Sequence, residues 1–223
     1  LPVVHEDASI VVVDKPGGMP AHALDPRQRG TAAAFLLARY PEMADVGEPL
    51  APGLVHRLDT GTSGLLVAAR TVEAHAALRA ALRARRVEKR YVAVVAGTGP
   101  ELAGTRVVLP LAHDAGDRRR MIAAAPGLRA WPAETALEVL SSWRGRTLVR
   151  ATIRTGVTHQ VRAHLAHVGH PVLGDVLYGG PPVALPAGRH ALHASELSLP
   201  HPADGRPLVL ASALPPDLRA LVD

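Results

Sequence analysis

Cysteine is absent from the 223 residues. That removes disulfides, thiolate zinc sites and thiol nucleophiles together, and it fits a reducing compartment. Aromatic residues make up only 3%, too few for a protein that coats long single strands by stacking on their bases. No apolar run approaches the roughly 20 residues that a membrane span needs. The opening Leu1-Pro2-Val3-Val4-His5-Glu6-Asp7 has no basic segment leading into an apolar stretch, so no secretory signal is expected. These absences describe a soluble, cytoplasmic protein with no membrane partner. The chain does have a hydrophobic content of 48%, enough for one substantial core, and a formal charge of +5. The charge favours a polyanionic partner without saying which kind.

The patterning is mixed. Ser9 to Asp14 is a β-branched run stopped by Lys15-Pro16-Gly17-Gly18, a buried strand ending in a turn. Thr31 to Tyr40 reads as a short helix capped by Thr31 and ended before Pro41. Val55 to Asp59 and Leu65 to Ala69 read as extended segments around a Gly/Thr/Ser turn. Thr71 to Arg86 reads as a helix, with Ala74, Leu78 and Leu82 on one face and Arg83, Arg85 and Arg86 near its negative end. Arg90 to Ala96 returns to a strand, and Gly99 to Pro132, with Arg118-Arg119-Arg120, reads as an irregular loop region. Ala136 to Leu140 and Thr147 to Ile153 flank Arg144-Gly145-Arg146 as a hairpin. His159 to Val168 has helical spacing closed by Gly169 and Pro171. His190 to Leu199 and Leu208 to Ala211 add strands, and Pro215 to Val222 a terminal helix. The predicted class is α+β with a largely antiparallel sheet flanked by helices, in a single domain over 1–223.

Three segments carry chemistry. The first is His56-Arg57-Leu58-Asp59 followed by Thr60-Gly61-Thr62-Ser63-Gly64. Strand alternation would put Arg57 and Asp59 on one face and His56 and Leu58 on the other. An isolated Arg-x-Asp is most often a surface pair of little energetic consequence. The second is Lys89-Arg90-Tyr91, whose tyrosine either stacks on a base or fills the core beside Val92 and Val94. The third, Thr155-Gly156-Val157-Thr158-His159-Gln160-Val161-Arg162, is a strand-turn-helix junction. It offers an anion site at the helix start, or simply a Thr158 cap with an exposed arginine.

In this order, and with Gly169-His170-Pro171, Gly174-Asp175, Tyr178-Gly179, Asp14-Lys15-Pro16-Gly17-Gly18, Leu192-His193-Ala194 and His201-Pro202, the segments resemble the RluA-type pseudouridine synthases along nearly the whole chain. Val157 stands where that family often has arginine. The resemblance implies the family's fold, with an active-site cleft; the S4-like RNA-binding domain that some relatives carry in front of it is not expected here. It implies that Asp59 is the catalytic aspartate, Tyr91 the tyrosine packed on the uracil ring and Arg162 the arginine pairing with the aspartate. The implied partner is structured ribosomal or transfer RNA.

Isomerising uridine breaks the C1′–N1 bond and joins C1′ to C5 without redox change, so no cofactor is expected. Asp59 could add to C1′ or remove the C2′ proton. An opposite charge from Arg162 would keep Asp59 ionised against the effect of burial. A stacked uridine must be flipped out, and Arg57 is the candidate to fill the gap it leaves. Arg57, Arg86, Lys89, Arg90, His159 and Gln160 are the candidate RNA contacts, with Arg79, Arg83, Arg85 and the arginines at 118 to 120 as further phosphate contacts. His159, His164, His167 and His170 could suggest a metal, but the resemblance accounts for three of them in a packed motif, and no metal is expected. The competing reading is a catalytically silent RNA-binding or ribosome-assembly protein of the same fold. A cleft enzyme of this size is expected to be a monomer.

Overall fold

The computed structural model describes all 223 residues. The chain forms two compact units, one of Leu1–Lys89 with Ala194–Ala213 and one of Arg90–His193 with Leu214–Asp223. As expected, the class is α+β and every recorded strand register is antiparallel. Four helices accompany the strands, α1 (Ala32–Arg39), α2 (Val72–Arg83), α3 (Gln160–His167) and α4 (Pro216–Val222).

In the first unit the strand order is Val3–Glu6, Ile10–Lys15, Ser63–Ala69, residues 194–200, and Pro207–Ala211. Ile10 to Val13 are fully buried, which explains why this strand reads as a continuous apolar run instead of an alternating one. Its side chains and those of Leu65 and Val67 meet Ala74, Leu78 and Ala81 of α2 in one core, the spacing of a helix's buried face. Thr31 and Thr71 cap α1 and α2 by accepting from Ala34 N and Ala74 N, each at 3.1 Å. α2 ends at Arg83, three residues before the expected Arg86, and Arg85 just beyond it is left-handed, at φ +56.

In the second unit residues 90–96 lead the strand order, followed by Arg146–Ile153, Glu134–Trp143 and Arg106–Val108. Arg144 and Gly145 both have positive φ, 44° and 73°, which matches the right-handed twist of the strands they join. The expected hairpin is therefore present, with longer arms. Residues 99–132, expected to be irregular, contain three strands of three residues each, Arg106–Val108, Leu111–His113 and Met121–Ala123. Such strands are too short to show an alternating pattern.

Val55 to Asp59 is a second difference. Only Leu54 is bridged, to Ala68, and the residues after it run as bends and loop. Gly53 turns the chain at φ +70, and a Cβ there would lie 2.5 Å from the Ala69 carbonyl oxygen. Beyond it the Val55 carbonyl accepts from Arg79 and the His56 ring accepts from Val67 N, side-chain bonds in place of a ladder.

Candidate active site

The turn that carries Asp59 is held through its backbone. Thr62 N donates to the Asp59 carbonyl at 3.0 Å, and Gly18 N donates to the Thr60 carbonyl at 2.7 Å. Beneath it lies Lys15, which has no solvent exposure. Its ammonium donates to the carbonyls of Met19 at 2.7 Å, Pro16 at 3.1 Å and Thr60 at 3.4 Å. A buried charge is tolerated only when its protons are satisfied; here they gather the Pro16–Met19 loop and the residue after Asp59 around one point. Gly64 is at φ +112, and a Cβ on it would sit 2.2 Å from the Ala194 carbonyl oxygen, so the strand leaving the turn needs glycine there. Asp59 itself is half-buried.

His56 and Arg57 have opposite surroundings. His56 Nε2 accepts from Val67 N at 3.1 Å, while its buried Nδ1 has no partner. Burial first, and the Lys89 charge second, push this imidazole down to about 3, so it is neutral and structural at physiological pH. Arg57 is exposed and forms no ion pair. Besides burial, its charge lowers the His22 pKa, which places the guanidinium near the Pro20–Gln28 segment. Arg79 donates to the Val55 carbonyl at 3.1 Å and so braces the approach to the motif. Arg86 is exposed. Lys89, expected at the surface as an RNA contact, is only 6% exposed, and burial lowers its pKa to about 8. That expectation is corrected, because its ammonium lies inside the first unit beside His56.

In the second unit Arg162 is buried. Its Nε and Nη2 donate to the two carboxylate oxygens of buried Asp175 at 2.6 and 2.8 Å, a fork-to-fork pair that fixes the guanidinium plane. The Tyr178 ring lies 5.1 Å from the guanidinium carbon. Asp175 and Tyr178 belong to motifs of the sequence with no role assigned to them, because their separation of 13 and 16 residues from Arg162 hides the contact. Gln160, another expected RNA contact, is 2% exposed. Its Nε2 donates to the Glu134 carbonyl and Thr135 Oγ1, and its Oε1 accepts from Thr155 Oγ1 and Val157 N. Every polar valence of this amide is used between the Glu134–Trp143 strand and the loop before α3, so it is a brace and not an RNA contact.

The cap of α3 is His159 rather than Thr158. It is left-handed, at φ 54 and ψ 17, and lacks a side-chain cap bond. Its Nδ1 lies 3.2 Å from the Tyr178 hydroxyl. Tyr91 is buried and Arg90 half-buried.

Two of the histidines near α3 are committed elsewhere, and His167 is exposed. His164 Nδ1 is 2.8 Å from Thr135 Oγ1, and its Nε2 is 3.0 Å from the Leu109 carbonyl. His170 lies between the Ala96 carbonyl and Glu101. A different set, His5, Asp7 and His201, has ligand atoms within 4.8 Å of one another. Its Nε2–Oδ2 distances of 2.7 and 2.9 Å are hydrogen bonds. Ala203 N donates to His201 Nδ1, so the proton of that ring is on Nε2, facing Asp7. Hydrogen bonding thus accounts for the set, which clasps the first strand to the turn after residue 200.

A model of the RNA pseudouridylate synthase family matches residues 9–167, and the chain belongs to that family. Among curated relatives, an uncharacterized RNA pseudouridine synthase of Chloroflexus aurantiacus is 43% identical over 94% of this chain and 64% of its own length. Ribosomal large subunit pseudouridine synthase D of Yersinia pestis is 39% identical over 100% of this chain and 70% of its own length. The chain thus spans about two thirds of such relatives. Among solved structures, Human RNA Pseudouridylate Synthase Domain Containing 4 is similar with a TM-score of 0.76 at 27% identity, covering 98% of this chain and 90% of that one.

Proposed function

We propose that this protein isomerises specific uridines of structured RNA to pseudouridine, with Asp59 as the group that acts on the ribose. Family membership supports the reaction class, and the names of the relatives favour RNA of the large ribosomal subunit as the substrate. The observation that carries the assignment of Asp59 is the turn itself. Its backbone is pinned by a fully buried ammonium, while the carboxylate is part of a half-buried side chain two residues along the chain from exposed Arg57.

In this reading the target uridine leaves the RNA stack and Arg57 fills its place. Asp59 adds to C1′ or takes the C2′ proton, and the C1′–N1 bond breaks. The uracil turns and joins C1′ through C5, whose proton is released as N1 gains one. Tyr91 packs on the base. Arg162, its plane fixed by Asp175, holds Asp59 ionised. The net change is an isomerisation, so the chemistry needs no cofactor, and the protein would work in the cytoplasm as a monomer.

Release of tritium from RNA labelled at uridine C5 tests this directly. Wild-type protein should release it and Asp59→Asn should not; equal release by both would remove Asp59 from the chemistry.

A further inference from the structure

Outside the residues used above, one surface of the second unit combines the chain's scarcest side-chain type with its most abundant charge. Leu111–His113 pairs with Met121–Ala123 on one side. On the other it pairs with the backbone of Trp131, whose N and O bond the O and N of Leu111 at 2.8 and 3.0 Å. Directly paired residues point to the same face of a ribbon, and so do residues two apart. Leu111, His113, Met121 and Trp131 therefore share a face. Its inner part is core, because Leu111 and Met121 are buried and the indole packs beside them. Its outer part is open, because His113 is exposed and Trp131 only half-buried. The two rings meet edge to face, with centroids 5.5 Å apart.

The surrounding charge is arranged unevenly. Arg119 is neutralised by Asp117 at 2.7 Å, and Arg120 has Asp114 at 4.0 Å. Arg118 and Arg129 have no carboxylate partner and are exposed. Arg118 lies close to the aromatic pair, since its carbonyl is 3.0 Å from His113 Nδ1. The Arg129 guanidinium carbon is 5.5 Å from the indole centroid. The Arg129 cation thus lies over an accessible indole, with exposed Arg118 joined to the neighbouring imidazole through its backbone, in a protein whose aromatic content is 3%.

We propose that Trp131, His113, Arg118 and Arg129 bind an unpaired nucleotide of the substrate RNA outside the catalytic residues. The base stacks on the indole and the flanking phosphates meet the two guanidiniums. This rests on the RNA-modifying function proposed above. An exposed cation over an indole is held more weakly than a stacked nucleobase, so an incoming base displaces Arg129 from the ring and leaves it free for phosphate. A base in a perfect duplex has no free face to offer, so the site selects unpaired RNA.

Trp143→Phe leaves Trp131 as the sole tryptophan and so as its own reporter. Titration with an unstructured oligoribonucleotide should quench its fluorescence saturably, whereas heparin, a polyanion without bases, and duplex RNA should not. Trp131→Leu should weaken binding of the unstructured RNA about tenfold and leave heparin binding unchanged. Trp131→Phe should restore most of the loss. Arg129→Ala and His113→Ala, at exposed positions that do not threaten the fold, should each weaken the same complex. RNA binding without quenching, equal quenching by heparin, or unaltered affinity in Trp131→Leu would each overturn the proposal. Tritium release by the same preparations separates the two readings. Release without quenching sinks the nucleotide site alone, and quenching without release sinks the catalytic reading alone.

Discussion

The Asp59 turn and the Arg162 helix hold their key residues in opposite ways. In the first unit the protein fixes the backbone. The Asp59 carbonyl accepts from Thr62 N and the Thr60 carbonyl from Lys15 and Gly18, and Arg57 is exposed. In the second unit the protein fixes the side chain, with Arg162 buried and two of its nitrogens locked on Asp175. In the function proposed above Asp59 needs an accurate position and some freedom to move, whereas Arg162 needs only to stay still. The difference makes the two regions respond differently to substitution.

The largest effect should fall on chemistry without stability. Asp59→Asn should lower the single-turnover rate by about a thousandfold or more while shifting the urea midpoint little, because the carbonyl that anchors the turn is unchanged. A large loss of stability would mean that the side chain, not the backbone, carries the turn. Asp175→Asn should do the reverse. Leaving the buried guanidinium without its carboxylate should cost about 3–5 kcal/mol, read by urea unfolding. Arg162→Lys should also destabilise, since an ammonium cannot reproduce the fork to Asp175. Lys15→Met is intermediate. It takes the ammonium from the Pro16 and Met19 carbonyls, while Thr60 keeps its bond from Gly18 N, at about 1–3 kcal/mol for a buried unsatisfied group, and should lower kcat with KM nearly constant if the turn positions Asp59.

The pH dependence sharpens the same contrast, since the perturbed pair beside the Asp59 turn lies in the first unit. His56 has a folded pKa of about 3 against 6.5. The unfolded chain therefore binds the extra proton first on acidification, and stability falls as pH drops from about 6.5 to 3. Lys89 has a folded pKa of about 8 against 10.5. There the unfolded chain holds its proton longer, so stability rises between about pH 8 and 10.5, by at most roughly 1.4 kcal/mol per pH unit. Urea midpoints compared with those of Lys89→Met should show that alkaline rise only in the wild type.

The fold class, both capped helices of the first unit and the hairpin at Arg144-Gly145 were legible because each depends on local pattern: caps three residues from their donors, apolar periodicity, and a turn dipeptide. The carbonyl cage around Lys15 was not. Its third acceptor is 45 residues away, and nothing in Lys-Pro-Gly-Gly distinguishes a buried ammonium from a solvated one. Lys89 and Gln160 were misplaced for a related reason. A polar residue beside arginines reads as surface, whereas each is enclosed by partners distant in sequence. The same distance concealed the pairing of Arg162 with Asp175, although both residues lay within quoted motifs.

The smallest effect should come from Arg57, and it bears on why that side chain is left unpaired. An exposed cation with no carboxylate partner adds almost nothing to folding, so Arg57→Ala should unfold at the wild-type urea concentration. If its role is to occupy the space of a flipped uridine, the loss of rate should appear where stacking must be broken. Unstacking costs a few kcal/mol in a structured RNA and little in an unstructured one. Turnover by Arg57→Ala should therefore fall several-fold more on a stem-loop substrate than on an unstructured oligonucleotide of the same sequence context. An equal loss on both would reduce Arg57 to a phosphate contact, whose removal weakens binding to any RNA and flattens its salt dependence by about one charge. Measuring both substrates at two salt concentrations separates the two roles, since only the phosphate contact predicts a changed slope on the unstructured strand.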